Sequence, residues 1–228
     1  MMKKTVGIVF ADEMEYKPFR EAAEKFGAKS EKLCGCNSVS FTFGELSVTA
    51  IESGIGKVNA AFAASCLIFE KKADVILNAG LSGAVSKLRR GDIVAGESFT
   101  ECDFDLTAIG YDLGIKPDKD VSVHTADKEL LEKILSLKNI KSGNFGTGDI
   151  FLSDPVKKNL FREKFKICAF DMETAAIACV CDRCRVPFLS LRKISDDADD
   201  SSVSDYREMN EKAESHLTDI LFDFFKIL

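Results

Sequence analysis

The chain has 228 residues, of which 46% are hydrophobic and 30% charged, and these proportions are typical of a globular protein and exclude disorder over most of its length. Its 31 basic and 37 acidic side chains give a net charge of −6 with no long basic run, which excludes nucleic-acid binding through phosphates. The longest apolar run, 60–69, is far shorter than the roughly 20 residues of a membrane-spanning helix.

The first residues resemble a secretory signal only in part. Lys3 and Lys4 precede a short apolar stretch, but Asp12 and Glu13 follow where the small residues of a cleavage site belong. We therefore interpret this stretch as a first strand and expect a cytoplasmic protein.

The chain contains eight cysteines, and without a secretory signal they fit reduced thiols better than a disulfide framework. Cys179, Cys181 and Cys184 lie close together, which raises the alternative of a metal site. Their spacing does not recur as a second pair, and both histidines are far away in sequence. We therefore expect neither a metal nor a cofactor.

Short runs rich in β-branched residues alternate with stretches of helical spacing, without a linker, a low-complexity segment or an internal repeat. This alternation predicts one α/β domain, residues 1–228, with a largely buried mixed or parallel sheet. In such sheets, ligands bind where strands end and helices begin. The strands are predicted at 5–10, 39–43, 47–51, 75–78, 93–97, 166–170 and 187–191, and the helices at 13–26, 58–71, 128–137, 155–164, 172–184 and 205–228.

Acidic residues follow the first predicted strand. Asp12, Glu13 and Glu15 fall at the start of the first predicted helix, where carboxylates commonly interact with the helix dipole. Three carboxylates in four positions exceed what that role requires. A functional role for one of them therefore stays open beside the structural one.

Three segments rich in small residues follow strands: 53–59 and 79–84 follow strands given above, and 146–152 follows a further, glycine-rich strand for which the sequence gives no bounds. The segment 53–59 lacks the third glycine of the Rossmann fingerprint and the Ser or Thr that follows Lys57 in a Walker loop, which leaves either close backbone approach to a ligand or a tight turn. The segments 79–84 and 146–152 fit ordinary turns, or a flat ligand lying against the backbone with Phe151 stacked on it.

Two acidic segments are more informative. Asp171 and Glu173 open a predicted helix whose next residues are apolar, and a capping role explains one of these acids but not both. Asp196 is the first of four aspartates after the strand predicted at 187–191. Such a run is commonly a solvated loop, but its position is the ligand-binding end of the sheet.

Taken in order, these motifs resemble the bacterial methylthioadenosine/S-adenosylhomocysteine nucleosidases of the nucleoside phosphorylase superfamily, over nearly the full chain. The resemblance implies a single α/β domain with a twisted mixed β-sheet flanked by helices, in a homodimer whose subunits complete each other's pockets. The motifs that carry it are Gly7-Ile8-Val9 with Glu15, Ser53-Gly54-Ile55-Gly56-Lys57-Val58, Gly80-x-x-Gly83, Asp105-x-Thr107-Ala108-x-Gly110-Tyr111, Gly148-Asp149-x-Phe151, Met172-Glu173-x-x-Ala176 and Ile194-Ser195-Asp196-x-Ala198-Asp199.

The resemblance also implies a small-molecule nucleoside substrate, no cofactor and a role for each matched residue. Glu15 would activate the water that attacks the ribose, and Asp196 would protonate the purine at N7, as two carboxylates flank a sugar that becomes cationic. Glu173 would bind the ribose hydroxyls, Met172 would pack beneath the ribose, and Phe151 would stack on adenine. The other implied substrate contacts are Ile55, Gly83, Leu152 and Ser195.

Water and phosphate are alternative nucleophiles in this superfamily. Its phosphorylases hold phosphate with arginines after the first strand and before the position of Gly80, and this chain has its acidic turn and Asn78 at those places. The resemblance therefore favours hydrolysis over phosphorolysis. A non-catalytic nucleoside-binding protein is the third hypothesis, although binding alone needs no acid that activates water.

Three residues depart from the family pattern. Leu81 stands where the nucleosidases usually have serine, Ile109 where an aromatic residue usually reaches the partner's pocket, and Cys102 where histidine is frequent. These positions surround the substrate rather than the reacting bond. The 5′ group of the adenosine is therefore open, with aminofutalosine among the alternatives.

Overall fold

A computed structural model of the chain describes residues 3–117, 122–198 and 211–228. The strands within these residues are β1 Lys4–Phe10, β2 Lys29–Leu33, β3 Cys36–Phe43, β4 Leu46–Glu52, β5 Val75–Ala84, β6 Ile93–Glu101, β7 Val123–Thr125, β8 Ile140–Thr147, β9 Ala169–Asp171 and β10 Phe188–Asp196. The α-helices are α1 Glu13–Glu24, α2 Lys57–Phe69, α3 Lys128–Leu135, α4 Pro155–Phe165, α5 Thr174–Cys184 and α6 Glu211–Phe225.

The strands form one mixed sheet in the order β10-β6-β8-β9-β5-β1-β4-β3-β2, with β7 paired to β6. Because β5 also pairs with β10, the part made of β5, β10, β6, β8 and β9 closes on itself into a ring. Residues 76–83 of β5 run parallel to β10, while its last two residues pair with β9 in the antiparallel sense. Helices pack against this sheet, α2 on β1 and α3 on β6, so the predicted α/β fold is confirmed.

Helix α1 is fixed so that its first turn faces the carboxyl end of β1. Asp12 caps the helix by accepting a hydrogen bond from the backbone N–H of Glu15 at 3.0 Å. Phe19, fully buried one turn later, stacks on Phe222 of α6 with ring centroids 5.5 Å apart. Burial of a phenylalanine stabilises a fold by about 1.5–3 kcal/mol, so this packing holds Glu15 in place.

Several strands extend beyond their predicted bounds, among them β6, which runs to Glu101 instead of 97, and two of these extensions line the cavity described below. The predictions that 79–84 and 192–196 are loops are wrong, because β5 continues to Ala84 and β10 to Asp196. These stretches pair with each other and are buried, but glycines in one and charged residues in the other hide the usual strand pattern.

Other differences are smaller. The polar, exposed β2 and the three-residue β7 carry no apolar alternation and were not predicted. The strand predicted at 166–170 begins only at Ala169, and the predicted start of the last helix at Asp205 lies outside the described residues. No helix in the described part of the chain is both long and apolar enough to cross a membrane.

Candidate active site

A cavity of about 520 Å³ opens where β1, β5, β9 and β10 end, the position at which ligands bind in α/β sheets. It brings together every residue that the sequence predicts to act on or bind a substrate. These are Glu15, Ile55, Gly83, Phe151, Leu152, Met172, Glu173, Ser195 and Asp196. Of the remaining lining residues, only Leu81 was expected to lie near the substrate; these residues are Ala11, Asp12, Leu81, Ser82, Ile150, Phe170, Asp171 and Ala198.

Glu15 is buried at the inner end of the cavity, between the ends of β1 and β5. Its Oε2 accepts a hydrogen bond from the backbone N–H of Ala11 at 2.9 Å, and its Oε1 accepts one from Leu81 at 2.7 Å. Any Cβ at Gly80 would collide with this carboxylate, so glycine is required there. Burial raises the pKa of Glu15 well above its ordinary value, and Arg192 opposes this shift only in part. A raised pKa makes this carboxylate a stronger base than an exposed glutamate.

Arg192 of β10 is completely buried beside Glu15. Its guanidinium donates to Asn78 Oδ1 at 2.6 Å, to Thr174 Oγ1 at 2.9 Å and to the carbonyl of Leu81 at 3.1 Å. These bonds fix the plane of the guanidinium and occupy most of its donors. The sequence analysis placed Arg192 in a loop and gave it no role.

Three carboxylates surround this guanidinium, and we call the group the Arg192 cluster. The nearest oxygens of Asp171, Glu173 and Glu15 lie 3.3, 3.5 and 3.9 Å from its nitrogens. Burial opposes the charge of Arg192, but these neighbours hold its pKa above the ordinary value. Burial likewise raises the pKa of Glu173. One cation among three acids leaves an excess of negative charge in the site.

Asp171 and Glu173, at the start of α5, have different hydrogen-bond partners. Asp171 Oδ1 accepts from the backbone N–H groups of Glu173 at 3.1 Å and Thr174 at 3.0 Å, so it satisfies donors that a helix start leaves open. Glu173 Oε1 instead accepts from the backbone N–H of Gly56 at 3.0 Å. Glu173 thereby faces the cavity and ties the segment 53–59 to it.

The start of α2 is occupied by the protein's own acids. Beside the Gly56 bond to Glu173, the backbone N–H of Lys57 donates to Asp149 Oδ1 at 2.8 Å. A helix N-terminus attracts anions, and here carboxylates from two distant segments take that place. Gly56 has φ +99°, a conformation that favours glycine. Segment 53–59 therefore brings its backbone close to Glu173 and does not form a phosphate-binding loop.

Asp196 ends β10 at the other side of the cavity. Its Oδ2 accepts from the hydroxyl of Ser195 at 2.6 Å and its Oδ1 from the backbone N–H of Ala198 at 2.8 Å. A Cβ at Gly83 would lie 2.9 Å from Oδ1, so the glycine leaves room for the acid. Since Gly80 faces Glu15 and a strand rises about 3.3 Å per residue, the two acids are set about 10 Å apart along β5.

The opening of the cavity is apolar, whereas its inner end is charged. Ile55 and Phe151 are about half exposed, and Leu152 is buried behind them. Of the three departures from the family pattern, only Leu81 lines the cavity. Cys102 is buried in a small apolar cluster with Phe161 and Phe170, among other residues, and Ile109 is exposed in a 3₁₀ turn. In the described ranges, no group of three or more His, Cys, Asp or Glu is placed to hold a metal ion.

Comparisons with known proteins agree with this geometry. Residues 5–226 match the family model described as the phosphorylase superfamily. The chain is 31% identical to the 5′-methylthioadenosine/S-adenosylhomocysteine nucleosidase of Geobacillus sp. (strain WCH70), over 98% of each chain. It is similar to the structure of the Helicobacter pylori nucleosidase of that name with butyl-thio-DADMe-Immucillin-A, with a TM-score of 0.94, 25% identity and full coverage of both chains. It is also similar to the futalosine hydrolase of Helicobacter pylori strain 26695, with a TM-score of 0.93 and 26% identity over 100% of this chain and 99% of that one.

Proposed function

The chain belongs to the phosphorylase superfamily, and from this premise we propose that it hydrolyses the N-glycosidic bond of 5′-methylthioadenosine or S-adenosylhomocysteine and releases adenine. One observation carries the proposal. Two buried carboxylates, Glu15 and Asp196, line one cavity and are held by separate sets of hydrogen bonds. Cleavage of a glycosidic bond with two carboxylates uses such a pair, one acting on the leaving group and one on the nucleophile.

Glu15 acts on the nucleophile. It takes a proton from water while the water oxygen bonds to the anomeric carbon of the ribose, and its raised pKa suits a general base. The bond from that carbon to N9 breaks, and its electron pair passes to the purine. Positive charge develops on the sugar, and the excess negative charge of the Arg192 cluster stabilises it. Glu173, a member of that cluster that lines the cavity, binds the ribose hydroxyls.

Asp196 acts on the leaving group. A proton that it holds or shares passes to N7 of the purine, so adenine departs as a neutral molecule. Ser195 and the backbone N–H of Ala198 fix both oxygens of the acid before the substrate arrives. Phe151 at the opening stacks on the base, and Met172 packs beneath the sugar.

Phosphorolysis is the alternative, and the charges oppose it. A phosphate in the place of the attacking water would meet Glu15, and a carboxylate about 4 Å from a phosphate charge costs about 4 kcal/mol per charge pair at an effective dielectric of about 20. The nearby cation, Arg192, already contacts Asp171 and Glu173. A protein that only binds nucleosides would have no use for this arrangement.

The first test is adenine release by the purified protein, in phosphate-free buffer and again with phosphate. We expect release from methylthioadenosine without phosphate. S-adenosylhomocysteine, aminofutalosine and adenosine, run alongside, test which 5′ group the enzyme accepts. Release that requires phosphate would identify a phosphorylase, and no release of any base would contradict the proposal.

The second test removes each acid in turn. Glu15→Gln and Asp196→Asn should each lower kcat by about 10²- to 10⁴-fold, the usual contribution of a general acid or base, while the Kd for a thioadenosine changes little. Glu13→Gln and Asp197→Asn are matched controls, because both side chains are exposed neighbours of the acids tested. Wild-type rates in both test variants would exclude this mechanism.

We also infer a homodimer formed through α2. Val58, Phe62 and Phe69 are exposed on one face of this helix, and Ile55 just before it is exposed and lines the cavity. A second copy on that face would cover the apolar surface and border the opening. Light scattering should give the mass of two chains, and Phe62→Asp should shift it toward one. A wild-type monomer at micromolar concentration would contradict the inference.

A further inference from the structure

Ser82 of β5 lines the cavity but has no role in the proposed mechanism. It is only 3% exposed, yet its hydroxyl has no hydrogen-bond partner among the described residues. Its backbone is held, because Ser82 pairs with Ile194 of β10, next to a shift in the strand register, and its carbonyl accepts a hydrogen bond from Ser195 Oγ at 3.3 Å. A buried hydroxyl without a partner destabilises a fold. Its presence in a cavity therefore indicates a ligand atom that completes the bond.

The register of β5 shows which part of the site this hydroxyl faces. Alternate side chains of a strand point to the same face, so Ser82 shares a face with Gly80. That face is the one that Glu15 and Arg192 approach, since a Cβ at Gly80 would meet both. The free hydroxyl is thus on the side of the base that activates water.

A water in this place needs a second partner. Glu15 can take one of its protons, but it cannot alone fix the direction in which the oxygen points. Arg192 is already engaged with Asn78, Thr174 and Leu81. A serine hydroxyl both donates and accepts, so Ser82 is suited to hold the second hydrogen or a lone pair of that water.

We propose that Ser82 holds the attacking water together with Glu15 and directs its oxygen at the anomeric carbon. The inference rests on the proposed function, since it presumes hydrolysis. It adds a further residue that touches the reacting atoms and gives a reason for the unpartnered hydroxyl.

Ser82→Ala tests this inference through the split between turnover and binding. We expect kcat to fall about five- to tenfold, the worth of one hydrogen bond, while KM and the Kd for adenine stay at their wild-type values. Ser82→Thr keeps a hydroxyl and should recover part of the rate. A loss of adenine or nucleoside affinity with kcat unchanged would instead place Ser82 against the substrate and overturn the inference.

Methanol provides a second readout that a purely structural serine would not change. Methanol can replace water as nucleophile: its oxygen bonds to the anomeric carbon, Glu15 takes its proton and adenine leaves as before, giving a methyl riboside. Removal of the Ser82 hydroxyl frees space and removes the group that favours water. The ratio of methyl riboside to free sugar should therefore rise several-fold in Ser82→Ala, and an unchanged ratio would overturn the inference.

Stability provides the control. Because Ser82→Ala removes no hydrogen bond to another described residue, the Tm of the ligand-free protein should stay within about 2 °C of wild type. Ser190→Ala, at a buried serine whose hydroxyl contacts Asn78 and Thr174 at 3.2 Å, should lower the Tm.

The failure of the proposed function and the failure of this inference give different results. A wild-type protein that releases no adenine would contradict both the proposed function and this inference. If the wild type is active and its Ser82→Ala variant keeps the wild-type kcat, only the inference about Ser82 is contradicted.

Discussion

The molecule holds two ion clusters that differ in burial and in charge balance. In the Arg192 cluster, one cation faces three carboxylates and the side chains are 0–6% exposed. In the second, which we call the Lys57 cluster, Lys57 and Lys116 face Glu101 and Asp103, and the side chains are 14–21% exposed. The Lys57 cluster is balanced and partly solvated, whereas the Arg192 cluster is dry and carries an excess of negative charge.

This difference separates a structural cluster from a functional one. Lys57 lies 2.7 Å from Asp103 and 3.3 Å from Glu101, and so links the start of α2 to the end of β6 without leaving a charge unmatched. The Arg192 cluster buries unmatched charge, which destabilises a fold and is common at catalytic sites. In the mechanism proposed above, the site accepts a proton and faces a cationic sugar, and an excess of negative charge suits both tasks.

The largest expected effect follows removal of the central cation. Arg192→Met would leave Asp171, Glu173 and Glu15 together without a counter-ion, and loss of one partner of a buried ion pair costs about 3–5 kcal/mol. Urea unfolding at neutral pH measures this loss as a lower midpoint. Arg192→Lys keeps the charge and should lose less. A loss under about 1 kcal/mol would show that the cluster is less dry than its burial indicates.

The α/β fold could be predicted from the sequence because it depends on local signals, the alternation of strand and helix patterns along the chain. The site residues were named largely through the family resemblance, and most of them lie in short motifs near strand ends, which the α/β pattern brings to one edge of the sheet. Ile55, Met172 and Asp196 come from distant segments and still meet in one cavity.

The remainder depends on contacts between distant segments. Arg192 contacts Asn78 and Asp171, and neither partner can be found from the residues around Arg192. The available signal was a charged residue directly after a strongly apolar strand. Because the strand was predicted to end at Leu191, Arg192 was assigned to a loop. Asp149, matched as part of a motif, caps α2 from 92 positions away, and only the folded chain shows that contact.

A smaller effect, set by pH, should distinguish Glu15. Because burial raises its folded pKa above the unfolded value, the stability it contributes is present below the unfolded pKa and is lost as the pH rises through the folded one. The Tm of wild type should therefore fall relative to Glu15→Gln between acidic and weakly alkaline pH, by about 2–4 °C for each kcal/mol involved.

The exposed Glu13 is the control for this pH series, since it lies two positions from Glu15 in the same turn and pairs with Arg20 at 3.2 Å. Glu13→Gln, measured over the same pH series, gives the effect of removing one exposed carboxylate from this turn. The same raised pKa predicts that kcat/KM falls when the pH is lowered through it, because protonated Glu15 cannot take a proton from water. A constant Tm difference for Glu15→Gln would mean that Glu15 titrates as an ordinary surface acid.

The smallest effect belongs to the Lys57 cluster. Lys57→Met should cost about 1 kcal/mol or less, and 0.5 M salt should reduce the loss further, because partly exposed ion pairs are weak and screened. The backbone N–H groups of Gly56 and Lys57 still reach Glu173 and Asp149 after the substitution, so kcat should remain near wild type. Urea unfolding with and without salt, beside Arg192→Met, measures the contrast directly. If Lys57→Met cost as much as Arg192→Met and ignored salt, burial and charge excess would not be what separates the two clusters.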